Sequence, residues 1–103
     1  MINFLKSLLS KDNSSIKEAL AKGAVIIDVR THDEFRTGHI PGSQNIPLAE
    51  IKQRIQFIRN WNKPVIMVCL SGGRSAAATS LLAAAGIEAY NGGSWQQLKA
   101  IKS

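Results

Sequence analysis

Two short apolar runs dominate the pattern along the chain. Residues 24–29 read Ala-Val-Ile-Ile-Asp-Val, and residues 64–69 read Pro-Val-Ile-Met-Val-Cys. Neither alternates strictly with polar residues, and both are rich in β-branched side chains. Such runs predict strands buried on both faces, as in a parallel sheet. Residues 88–91, just before Gly92 and Gly93, predict a shorter strand. Helical patterns lie between these runs. Leu48, Ile51, Ile55 and Ile58 recur at spacings of three, four and three, which is one face of a helix. Residues 75–85 are alanine-rich and end at Gly86, a strong helix signal with a stop. Trp95, Leu98 and Ile101 mark a last short helix. Near the start, Ile16, Ala19 and Leu20 form an apolar face that Gly23 closes. Ser14 or Ser15 is the expected cap, and Ser15 with Glu18 has the spacing of a capping box. Strands alternating with helices predict an α/β domain: a small parallel sheet of four to five strands with helices on both faces and right-handed crossovers.

A length of 103 residues suits a single domain, 1–103, with residues 1–13 as an N-terminal extension. Ile2, Leu5, Leu8 and Leu9 would share one side of a helix there. Lys6 interrupts the apolar run and no small-residue cleavage site follows, so a signal peptide is not expected. No stretch approaches the length of a membrane span. The formal net charge is +6, with a mild basic excess at Lys52, Arg54, Arg59 and Lys63. These charges are not interleaved with aromatic residues, so a single-strand nucleic-acid groove is not expected. A positive surface does favour small anions. The one cysteine excludes an internal disulfide and points to the cytoplasm or another reducing compartment.

That cysteine is where the chemistry gathers. Cys69 ends a predicted buried strand and is followed by Leu70, Ser71, Gly72, Gly73, Arg74 and Ser75, where a helix is expected to begin. Ligands of open α/β sheets bind beyond the carboxyl ends of strands. A tight loop there can turn its N–H groups inward around an anion, and the helix N-terminus adds positive potential. Both effects favour a thiolate at Cys69. Arg74 offers a planar, permanently charged donor. Ser71 and Ser75 hydroxyls can reach a bound anion, and Ser75 can equally serve as a helix cap. The Cys-x4-Arg spacing is one residue shorter than a Cys-x5-Arg phosphatase loop. The smaller cradle favours one added sulfur atom over a phosphoryl group. A phosphatase-like or arsenate-reductase-like enzyme and a noncatalytic binding module are the alternatives.

Several motifs together resemble the rhodanese-homology family. Asp28, Val29 and Arg30 close the first apolar run. Asp33, Glu34 and Phe35 precede Gly38-His-Ile-Pro-Gly-Ser-Gln-Asn-Ile-Pro at 38–47. The Cys69 loop and the Gly92, Gly93, Trp95 element follow in family order. The resemblance covers roughly residues 14–98. It implies a sulfurtransferase that takes sulfane sulfur from thiosulfate or another persulfide donor onto Cys69. The persulfide is held by N–H groups from about Leu70 to Ser75 and passes to cyanide or a thiol, with a protein donor or acceptor as a further option. No metal or organic cofactor is implied. Leu70 stands where many thiosulfate-using members carry a basic residue, and Ser43 where alanine is usual. The leading strand usual in the family is hard to find at 11–13. Asp28, Arg30, Glu34 and His39 are expected near the site in structural roles. Arg30 would pair with Glu34 or another acid, and His39 would hold a turn rather than act as a base. His32 is expected at the surface, and Trp61 and Trp95 in packing.

Overall fold

The computed structural model describes residues 13–102. The expected N-terminal helical extension and the stretch at 11–13 where a leading strand is hard to find lie outside these residues, Asn13 apart. Helix α1 (Ser14–Ala21) leads to β1 (Val25–Asp28), α2 (His32–Arg36), β2 (Gln44–Asn45) and α3 (Leu48–Ile51). A 3-10 turn (Lys52–Arg54) follows, then α4 (Ile55–Arg59), β3 (Val65–Cys69), α5 (Gly73–Ala84), β4 (Ala89–Ser94) and α6 (Trp95–Lys102). The four strands are all parallel, in the order β2-β1-β3-β4. This is the expected α/β architecture, a parallel sheet covered by helices.

Every residue of β3 is buried. Its side chains divide by parity. Val65, Met67 and Cys69 join Ile51, Ile58, Ala78 and Leu82 on one face of the sheet, and Ile66 and Val68 join Ile16, Ala19, Ile40 and Leu98 on the other. A strand flanked by strands and sandwiched between two apolar layers must be apolar at every position, which is why the sequence run shows no alternation.

Local details depart from the sequence reading. The first helix starts at Ser14 with Asn13 in the cap position and no side-chain cap bond, so Ser15 lies inside the first turn and the Ser15–Glu18 box is not formed. Gly23 does end that helix, at φ +86°. The helix expected over Leu48, Ile51, Ile55 and Ile58 is broken by the 3-10 turn, although Ile51 and Ile58 are buried as the spacing predicts. Periodicity reports which face is covered and is blind to a local tightening of the backbone. The two-residue β2 lies in a stretch that reads as turn chemistry and was not foreseen. The alanine-rich helix begins two residues earlier than expected, at Gly73.

β4 runs through the two glycines rather than stopping before them. Met67 pairs with Asn91 but Val68 pairs with Gly93, so Gly92 is the extra residue of a bulge. A Cβ on Gly92 would sit 2.7 Å from Ile66 Cγ2, 3.0 Å from Met67 O and 3.0 Å from Val68 Cγ1. Gly92→Ala therefore overpacks the central strand and is expected to cost about 1–3 kcal/mol. Gly73→Ala, whose Cβ meets nothing within 4 Å, is the matched control. Equal thermal midpoints for the two variants would refute this account of the bulge.

Candidate active site

Cys69 is the last residue of β3 and is 1% exposed. The chain then turns through Leu70, Ser71 and Gly72. Gly72 has φ +111°, a conformation that L side chains resist, and it forms the cap of α5. The turn points backbone donors at the sulfur. Gly72 N–H donates to Sγ at 3.0 Å and Ser75 N–H at 3.4 Å. Ser75 Oγ lies 3.3 Å from Sγ, accepting from the thiol. Ser75 is fully buried inside the first turn of α5, so it is neither a cap nor a surface hydroxyl.

Burial works to raise the pKa of Cys69. The Ser75 hydroxyl, when it turns its hydrogen to the sulfur, acts the other way, as do the N–H groups of Ser75, Gly72 and Ser71, and together they bring it below the usual thiol value. The N-terminal end of the twelve-residue α5 faces the same sulfur, and its positive potential assists. Leu70 stands at the mouth, 56% exposed.

Arg74, expected as a donor to a bound anion, is paired with Glu34. Its Nη1 and Nη2 donate to Glu34 Oε1 and Oε2 at 2.8 and 3.0 Å, a bidentate pair that ties α5 to α2. Glu34 also completes a capping box. Thr31 Oγ1 accepts from Glu34 N–H, while Thr31 N–H donates to Glu34 Oε1 at 3.0 Å. The Arg74 contact, followed by the Thr31 N–H, lowers the Glu34 pKa from the ordinary 4.5 to about 2. Because folding lowers it, ionised Glu34 stabilises the fold above pH 4.5, and that contribution is lost as the pH falls toward 2. Thermal midpoints of Glu34→Gln should therefore fall less steeply than wild type across that interval. Parallel curves would show that the pair adds nothing.

Arg30 takes Asp28, the other acid, and not the Glu34 carboxylate. Nε donates to Asp28 Oδ1 at 2.9 Å and Nη2 to Oδ2 at 2.7 Å. The remaining donors reach Gly38 O at 2.7 Å and Glu34 O at 3.3 Å, and the guanidinium lies 4.7 Å above the Trp95 ring. Asp28 and Arg30 are 0% and 3% exposed. His39 donates through Nδ1 to Phe35 O at 2.8 Å and stacks on the Phe35 ring, a structural arrangement. His32 is exposed between Asn45 and Glu50. Trp61 and Trp95 pack against the two apolar layers. Asn91 was not singled out from the sequence, yet its Oδ1 is 2.6 Å from Ser75 Oγ. Nothing local marks it, since only the pairing of β4 beside β3, with Asn91 opposite Met67, brings it to α5. Among the described residues, no group of three or more His, Cys, Asp or Glu is placed to hold a metal ion. No described helix is long and apolar enough to cross a membrane.

The site is thus a buried cysteine at the end of β3, faced by the N–H groups of a short loop. Residues 12–100 match the rhodanese-like domain. The chain belongs to the rhodanese-like family. It is 46% identical over 69 residues to the uncharacterized protein YqhL of Bacillus subtilis, covering 66% of this chain and 54% of that protein. It is 35% identical over 94 residues to thiosulfate sulfurtransferase 18 of Arabidopsis thaliana, covering 79% and 69%. Among solved structures, the human single-domain sulfurtransferase TSTD1 is similar with a TM-score of 0.67 and 30% identity, over 86% of this chain and 93% of that one. The rhodanese-like assignment thus rests on both sequence and shape.

Proposed function

We propose that this rhodanese-like protein moves sulfane sulfur through a persulfide on Cys69. The observation that carries the reading is the buried sulfur facing Gly72 N–H, Ser75 N–H and the Ser75 hydroxyl at the start of α5. Cys69 thiolate attacks the outer sulfur of a donor such as thiosulfate. A new S–S bond forms, the old one breaks, and sulfite leaves with its electron pair. A thiol or cyanide then attacks the outer sulfur, and the pair returns to Cys69 as thiolate. Splitting the transfer in two lets one nucleophile serve two partners that never meet. The loop amides from Leu70 to Ser75 stand ready for negative charge on sulfur before it develops.

Arg74, committed to Glu34, shapes the loop and lends long-range positive charge instead of gripping the donor. With Leu70 at the mouth, an organic or protein-borne persulfide is as suitable a donor as thiosulfate. The lone thiol fits a reducing compartment such as the cytoplasm. Names of sulfurtransferases among the relatives support the same reading. Intact-protein mass spectrometry after incubation with thiosulfate tests it. The expected result is a gain of about 32 Da, removed by cyanide or dithiothreitol. If thiosulfate gives no gain, a persulfide generated by a cysteine desulfurase should. No gain from either would overturn the reading in favour of a noncatalytic interaction module.

A further inference from the structure

Asn91 stands in β4 immediately before the bulge. Two backbone groups fix the orientation of its amide. Gly93 N–H donates to Oδ1 at 3.0 Å, and Nδ2 donates to Gly72 O at 3.3 Å. The reversed amide would set donor against donor at one end and acceptor against acceptor at the other. Oδ1 is therefore an acceptor where it meets Ser75 Oγ at 2.6 Å, and the Ser75 hydroxyl is the donor.

A hydroxyl has one hydrogen to give. While it is on Asn91, Ser75 presents only lone pairs to Cys69 Sγ, 3.3 Å away. That suits the thiol, whose S–H donates to Oγ, and opposes the thiolate. To support a thiolate, the hydrogen must leave Asn91 and turn to sulfur. Oδ1 is not orphaned when it does, because Gly93 N–H still donates to it. Gly72 O, 3.1 Å from Oγ, is a second and longer competitor for the same hydrogen.

We propose that Asn91 is a positioning residue that sets the direction of the Ser75 hydroxyl and, through it, the balance between thiol and thiolate at Cys69. The inference deepens the sulfur-transfer reading, which uses that thiolate, but its test needs no sulfur donor. The charged groups around the sulfur are Arg74 of α5, its partner Glu34 of α2, and the Asp28–Arg30 pair at and just beyond the end of β1. β4 brings Asn91, Gly92, Gly93 and Ser94, none ionisable. The α3 and α4 side brings apolar residues such as Ile51 and Ile58. Asn91 thus acts on Cys69 without adding charge.

The experiment is the pH dependence of iodoacetamide alkylation of the full chain, whose one cysteine makes the signal unambiguous. Asn91→Ala should lower the midpoint, so that alkylation below the wild-type midpoint runs roughly three- to tenfold faster, the scale of one exchanged hydrogen bond. Asn91→Asp should raise the midpoint, by holding the hydroxyl more firmly and by adding a negative charge. In a Ser75→Ala background the Asn91→Ala effect should vanish, and the Asn91→Asp effect should shrink to its charge alone. An unchanged midpoint in Asn91→Ala, or the same shift with and without Ser75, overturns the proposal. If Asn91→Ala does not fold, Asn91→Asp, which keeps an acceptor for Gly93 N–H, decides the matter by the same comparison. Alkylation reports thiol ionisation whether or not the protein moves sulfur, so failure here and failure of the persulfide reading are separable.

Discussion

Cys69→Ser should abolish sulfur uptake, with no mass gain from any donor and transfer rates at least ~10³-fold below wild type. A hydroxyl in that position is nearly the same size but is not ionised at neutral pH and is a poor nucleophile toward sulfur. The substitution is unusually clean because no second cysteine exists to take over. The loop donors remain, since Gly72 N–H and Ser75 N–H can point at an oxygen as well as at sulfur. A correctly folded Cys69→Ser that still transfers sulfur would remove the covalent mechanism and leave only binding of donor and acceptor side by side. Folding is checked by the thermal midpoint, which should stay close to wild type.

The largest loss of stability is expected from Arg30→Ala. Asp28 has no exposed surface, and its carboxylate is held by Arg30 through Nε and Nη2 and by Arg30 N–H at 3.0 Å. Removing the guanidinium leaves a buried charge without its counter-charge, which costs about 3–5 kcal/mol. It also frees the turn at Gly38, the end of α2 at Glu34 and the face of Trp95. For a domain of this size that is a fall in thermal midpoint of roughly 15–25 °C. The paired variant Asp28→Asn with Arg30→Met should recover part of it, because removing both charges costs less than stranding one. A double variant no more stable than Arg30→Ala would show that the loss comes from the Gly38 and Trp95 contacts instead. Since Glu34 sits in the segment that Arg30 secures and in turn holds Arg74, slower sulfur transfer should accompany the loss even at temperatures where the variant is folded.

The parts of this protein that the sequence determines are those governed by neighbours along the chain. Residues 24–29 and 64–69 announce buried parallel strands because a strand covered on both faces has no polar position to show. Cys69 followed by glycines and Arg74 announces a tight loop at a strand end because only certain residues permit that turn. Family motifs from Asp28 to Trp95 added the fold that joins these pieces.

What the tertiary structure alone decided is which side chains meet across elements. Glu34 and Arg74 are forty positions apart and pair only because α2 and the start of α5 both follow the carboxyl ends of the neighbouring parallel strands β1 and β3. Arg30 could have taken either acid, and the burial of Asp28 settled the choice. Ser75 and Asn91 touch because β4 pairs beside β3, with Asn91 opposite Met67, and α5 packs over the same face of the sheet. Hydrogen bonds are directional and reach only about 3 Å. A pattern of residue types can foretell that a polar group will need a partner, but the partner itself is chosen by the packing of strands and helices far apart in the chain.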